Sequence, residues 1–226
     1  MTGTDRARRM AAMTMARRAM TLARKAIRYE LLMWRGLYRW TLRRPRASGP
    51  GAAAFPYAAT LTPLLLAFIG VSAIEIPILH LILPWETARL VSGMLGLYGL
   101  FWMVGILACM RVYPHVVSDE GVRIRYGFTV DVTIPWDAIA TVRTRNRPLP
   151  KNRTVQVERT DDGLVAHVVV LSQTNVDITL RRPAVVPLAK TGGEPVTELR
   201  CYADDPAALV ARARERLKAE LPNREQ

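Results

Sequence analysis

The hydrophobic pattern changes character twice along the chain. Residues 57–83 form an apolar run of 27 with one formal charge, Glu75, and residues 90–110 form a second run of 21 with none. At about 1.5 Å per helical residue these reach roughly 40 and 32 Å, against a hydrocarbon core of about 30 Å. Backbone polar groups in lipid must be satisfied within each segment, so the pattern predicts two helices. The link Pro84-Trp85-Glu86-Thr87-Ala88-Arg89 is short, which makes residues 57–112 a transmembrane hairpin.

Upstream, in residues 1–56, the period is helical but amphipathic. Met20, Ala23, Ile27, Leu31, Trp34, Tyr38 and Leu42 recur at gaps of three or four, with Arg24, Arg28, Arg35 and Arg39 beside them. This predicts a basic amphipathic helix, ended by the Pro- and Gly-containing linker 43–51. Downstream of residue 113 the period becomes two. Val122, Ile124 and Tyr126 alternate with Arg123 and Arg125, and Val130, Val132 and Ile134 alternate with Asp131 and Thr133. Further strands are expected at 139–147, 154–158, 165–171, 176–180 and 196–202, with a hairpin turn at Asp161-Asp162-Gly163. Asp204-Asp205-Pro206 then opens a helix over 206–221 with Leu209, Val210, Ala213, Leu217 and Leu221 on one side.

Charge sharpens this division. The chain carries a formal +13, and residues 1–56 hold 13 Lys/Arg against two acids, a net +11, while 113–226 are nearly balanced at +2. The basic excess belongs to the N-terminal arm. The first 50 residues contain no apolar core of the kind a secretory signal needs. Their Arg-rich start also resembles a mitochondrial transit peptide, although Arg and Ala usage along the whole chain fits a GC-rich bacterial genome better. Lys and Arg flank the hairpin on the side of its two ends, which orients both termini to the cytoplasm of a multi-pass cell-membrane protein. Two cysteines in separate regions and three scattered histidines predict neither a disulfide framework nor a metal site. No nucleophile–base spacing, Gly-rich phosphate loop or HExxH is present, so neither catalysis nor a cofactor is expected.

Residues 113–147 carry a family resemblance. Tyr113-Pro-His-Val-Val-Ser-Asp-Glu-Gly-Val-Arg-Ile-Arg-Tyr-Gly, followed by Ile134-Pro-Trp-Asp-Ala-Ile-Ala-Thr-Val-Arg, resembles bacterial PH-like domains that follow a pair of transmembrane helices. Taken with the patterns above, the resemblance implies an α+β membrane protein with three parts. These are an amphipathic N-terminal helix, a two-helix transmembrane hairpin, and a C-terminal PH-like antiparallel β-barrel over 113–226 closed by an α-helix. It also implies that Trp136 plugs the barrel, that Asp137 caps a turn, and that the domain binds lipid headgroups or protein partners.

Three groups of residues are candidates for such contacts. Arg143, Arg145, Arg147, Lys151 and Arg153 follow one another without an intervening acid, the first three on one face of a regular strand. They suit an anionic lipid or a partner protein, and equally a solvated strand edge protected from aggregation. Arg28, Trp34, Arg35, Tyr38 and Arg39 suit the lipid interface. The same helix would also fit the protein's own domain, and nucleic acid is its least favoured partner. Glu75, two residues before Pro77, is an intramembrane ionisable group. It either snorkels outward or lines a polar path in a transport or channel accessory subunit, the alternative to an adaptor role. Ser92 and Gly96, with Gly93 and Gly99, make a small-residue surface that suits packing of the two spans or of two copies of the chain.

Overall fold

The computed structural model describes residues 3–42, 51–188 and 190–220. The linker expected over 43–51 therefore lies outside the described residues except for Gly51, as does Leu221. The elements run α1 (Gly3–Thr41), β1 (Ala53–Phe55), α2 (Leu61–Ile82), α3 (Glu86–Val112), β2 (His115–Ser118), β3 (Gly121–Tyr126), β4 (Val130–Pro135), β5 (Ile139–Pro148), β6 (Val155–Thr160), β7 (Gly163–Val168), β8 (Gln173–Val185), β9 (Pro195–Cys201) and α4 (Pro206–Glu220).

α2 and α3 are each long and apolar enough to cross a membrane. No residue of α2 is buried, and Leu64, Phe68, Val71, Ile74, Ile78 and Leu81 all face outward. Such a surface is what a lipid solvent selects. Ile76 of α2 packs where Gly96 of α3 leaves no side chain, so Gly96 serves the contact between the two helices. Gly93 and Gly99 face open space instead. α1 lies against the C-terminal half of α3. Met33 fills the space above Gly105, Gly36 lets Cys109 approach the α1 backbone, and the Tyr98 hydroxyl donates to Glu30 at 2.8 Å.

The remaining strands form two sheets, ordered β1-β2-β3-β4 and β5-β8-β9-β7-β6. All pairs are antiparallel except β7 with β9, which is parallel. The sequence-based expectation of a closed, wholly antiparallel barrel is thus corrected: two open sheets face each other instead. The reason lies at Pro135, which has no N–H to extend the ladder and ends β4. A single 3₁₀ turn, Trp136–Ala138, then carries the chain into the second sheet. Trp136 is buried there and donates from Nε1 to the Ser118 carbonyl at 3.1 Å. Asp137 is exposed and the turn has no side-chain cap, contrary to its expected capping role.

Val117, Val122, Ile124 and Trp136 from one sheet meet Ile139, Val176, Ile178 and Leu199 from the other in a single core. α4 covers the end of that core with Leu209, Val210 and Ala213. Asp205 caps it by accepting the Ala208 N–H at 2.9 Å. Gly121 opens β3 at φ 145°, with the Ile134 carbonyl so close that any side chain would strike it.

Two strands were not legible as such in the sequence. β2 follows α3 after only Tyr113 and Pro114, and β1 precedes the hairpin. They pair antiparallel, Phe55 with His115 and Ala53 with Val117. The sheet is therefore built from chain on both sides of the two apolar helices.

Candidate functional site

The root of the hairpin is the first part of the site. Tyr57, expected to begin the first span, is instead fully buried in the domain. Its ring packs on His115 with centroids 4.8 Å apart and stacks on Tyr126 at 5.6 Å, and its hydroxyl accepts the Gly127 N–H. His115 is bonded at both nitrogens. Nδ1 accepts the Arg125 N–H at 3.1 Å, so Nε2 carries the proton and donates to the Tyr202 carbonyl at 2.8 Å. Burial pushes its pKa down to about 4, against the upward pull of the Tyr202 bond and helped by Arg125. The ring is neutral at pH 7.

The start of α2 is tied to the same place. Asp204 accepts the Ala59 N–H with both carboxylate oxygens, at 3.1 and 3.0 Å, and its own N–H donates to the Pro56 carbonyl at 2.9 Å. The Thr60 and Tyr202 hydroxyls share a hydrogen bond of 3.0 Å. An Asp204→Ala substitution is expected to cost about 1.5 kcal/mol, the low end of the range for a hydrogen bond to a charged group. Amide exchange should rise first at Ala59 and Thr60, and unchanged exchange there would contradict the role.

The second part is the outer face of the five-stranded sheet. In register, Arg143 of β5 stands opposite Asp177, Asp177 opposite Arg200, Arg200 beside His167, and His167 opposite Gln156. This polar row crosses all five strands. Asp177, Arg200 and His167 are buried although they face away from the core. Arg200 grips Glu198 with two bonds of 3.0 and 2.9 Å. Burial alone would raise the Glu198 carboxyl, but the bonded Arg200 outweighs it and holds the group below the usual carboxylate range. Burial, with Arg200 alongside, pushes His167 below the ordinary imidazole value. Burial likewise drives the Cys201 thiol up to about 12, which keeps it protonated.

The five basic residues expected as a contact surface all lie at one end of this sheet. Arg143 and Arg145 are exposed, as are Lys151 and Arg153 in the loop after β5. The regular alternation that would align Arg143, Arg145 and Arg147 is broken by a bulge between Thr144 and Arg147. Arg147 turns inward to Asp177, with Nε and Nη2 at 3.3 and 3.1 Å from one carboxylate oxygen. The loop sits beside the hairpin root. The Leu149 N–H donates to the Ser172 carbonyl at 2.7 Å, and the neighbouring Leu171 packs on the cluster of Tyr57, Ala58, Met110 and Val170.

Residues of the arm face two ways. Tyr29 packs on Phe128 of the β3–β4 turn at 5.6 Å, and Met33 and Gly36 are buried on α3. The predicted apolar stripe instead stays uncovered: Ile27, Leu31, Trp34 and Tyr38 are exposed, with Arg28 and Arg35 among them and Arg39 half-buried. Glu75 is exposed about two-thirds of the way along the outward face of α2 and does not meet the other candidates. Sequence reasoning missed Tyr57, His115, His167, Asp177 and Arg200 as parts of the site. Each is brought in by pairing between distant segments.

The C-terminal part is thus a small α+β domain of two sheets closed by one helix, tied at its edge to a pair of apolar helices. Residues 115–220 match the model of the bacterial PH domain family. No curated protein and no solved structure matches the chain.

Proposed function

We propose that this protein is a membrane-anchored, non-catalytic binding protein whose PH domain works against the cytoplasmic leaflet. α2 and α3 cross the cell membrane, both termini lie in the cytoplasm, and Pro84 and Trp85 face outside. The basic end of β5 engages anionic lipid headgroups or the acidic surface of a protein partner. The observation that carries this reading is the double tie at the hairpin root. Asp204 holds Ala59, Tyr202 holds Thr60, and β1 pairs with β2, so the domain hangs on short connections under the two helices. Lys151 and Arg153 then lie close to the lipid surface, where each cation contributes about 1 kcal/mol of attraction to an anionic leaflet. The exposed stripe and arginines of α1 add a second contact with the same surface.

Hydrogen exchange on the full chain in nanodiscs tests this. Amides 149–154 should exchange more slowly in phosphatidylglycerol-containing discs than in phosphatidylcholine discs. The triple variant Arg143→Glu, Lys151→Glu, Arg153→Glu should erase the difference. Equal exchange in both lipids for the unmodified protein would overturn the lipid part of the reading and leave a protein partner as its target.

A further inference from the structure

A cavity of about 460 Å³ opens on the outer face of the five-stranded sheet, among residues 145–149 of β5 and its end, Glu158 and Thr160 of β6, His167 of β7 and Arg200 of β9. Its size falls within the range of small-ligand sites. Its lining is polar, and its floor is unusual: His167 is 1% exposed and Arg200 8%. Neither ring nitrogen of His167 has an aligned hydrogen-bond partner among the described residues, nor does Oδ1 of the adjoining Asp177. Glu158 Oε2 approaches His167 Nε2 to 3.2 Å, but out of line. Buried polar atoms left in this state call for a polar occupant.

The charges around the cavity say which kind. Its acids are engaged: Glu198 and Glu158 face Arg200, and Asp177 holds Arg147. The Arg145 guanidinium has no partner among the described residues, and Arg147 uses only Nε and Nη2. Unspent donors at the mouth are therefore cationic forks, which match the oxygens of a phosphate group. Lys151 and Arg153 add positive charge beyond the rim.

We propose that this cavity binds a phosphate ester, with Arg145 and Arg147 on the phosphate oxygens and His167 at the ester or hydroxyl end. It rests on the membrane-side reading above only for the ligand's source, since the shared chemistry fits either a phospholipid headgroup or a soluble phosphate ester. The test uses the full chain in phosphatidylcholine nanodiscs titrated with glycerol phosphate, followed by calorimetry. A parallel arm uses mass spectrometry to count phosphatidic acid retained by detergent-solubilised protein. Arg145→Gln, an exposed change that leaves folding intact, should weaken binding about tenfold through loss of a charge-assisted bond. Arg153→Gln, outside the lining, should change it little.

An Arg145-dependent calorimetric signal supports a soluble ligand, and Arg145-dependent retention alone supports a headgroup. Binding in neither arm, or an equal response to both variants, overturns the proposal. Glycerol phosphate binding without lipid-dependent exchange at 149–154 would keep the cavity and remove the membrane-facing reading. Lipid-dependent exchange at 149–154 with binding in neither arm would keep that reading and remove the cavity.

Discussion

Tyr57→Ala is expected to lower the unfolding free energy of the domain by about 3–5 kcal/mol, the usual cost of deleting a large buried ring. The ring is fully buried and bridges two other rings, His115 and Tyr126, so surrounding side chains cannot simply collapse into the space. A second loss is polar, because the Gly127 N–H donates to the Tyr57 hydroxyl. Tyr57→Phe isolates that part and should cost about 1–3 kcal/mol, the penalty for an unsatisfied donor at a buried site. Denaturant unfolding of the detergent-solubilised protein, followed by the β-sheet dichroism signal, measures both. If Tyr57→Ala unfolds at the unmodified midpoint, Tyr57 does not belong to the domain core, and the tie between domain and hairpin is lost with it.

Acidification is the second large effect. His115 has a pKa of about 4 in the folded protein and an ordinary value of 6.5 when unfolded. Above pH 6.5 both states are neutral and the stability is fully present. As the pH falls from about 6.5 to about 4, only the unfolded chain takes up the proton, and about 3 kcal/mol is lost. His167, whose pKa is also lowered, acts in the same direction. Glu198 and Asp131, held below the usual carboxylate range, lose their contribution at lower pH, so the two windows separate. His115→Asn should flatten the slope between pH 6.5 and 4.5 relative to the unmodified chain, leaving the His167 part. An unchanged slope in that variant would assign the acid sensitivity elsewhere.

How much of this was legible depended on the range of each interaction. The apolar helices announce themselves because membrane-scale hydrophobicity is a signal sustained over twenty or more residues. β3 and β4 were equally plain from Val122–Tyr126 and Val130–Ile134, where alternation is strict. Ala53–Phe55 offers no such pattern, for three small or aromatic residues become a strand only when β2 arrives from beyond the hairpin. Tyr57 reads as the first residue of an apolar run because periodicity records polarity and not partner. The arginines of β5 were found by composition, but their alignment was wrong at Arg147, since a bulge inserts a residue without leaving a mark in the alternation. The row through Asp177, Arg200 and His167 lay out of reach, as each member sits on a different strand.

The pairing of Phe55 with His115 sets a parity rule for biogenesis. The strand before the hairpin and the strand after it share a ladder only if the intervening chain crosses the bilayer an even number of times. A molecule in which one helix failed to insert would strand β1 and β2 on opposite faces, leaving Tyr57 without its pocket and the first sheet with a bare edge. If α2 and α3 cross a membrane, as proposed above, a molecule that inserts only one of them therefore forfeits the native stability of its domain.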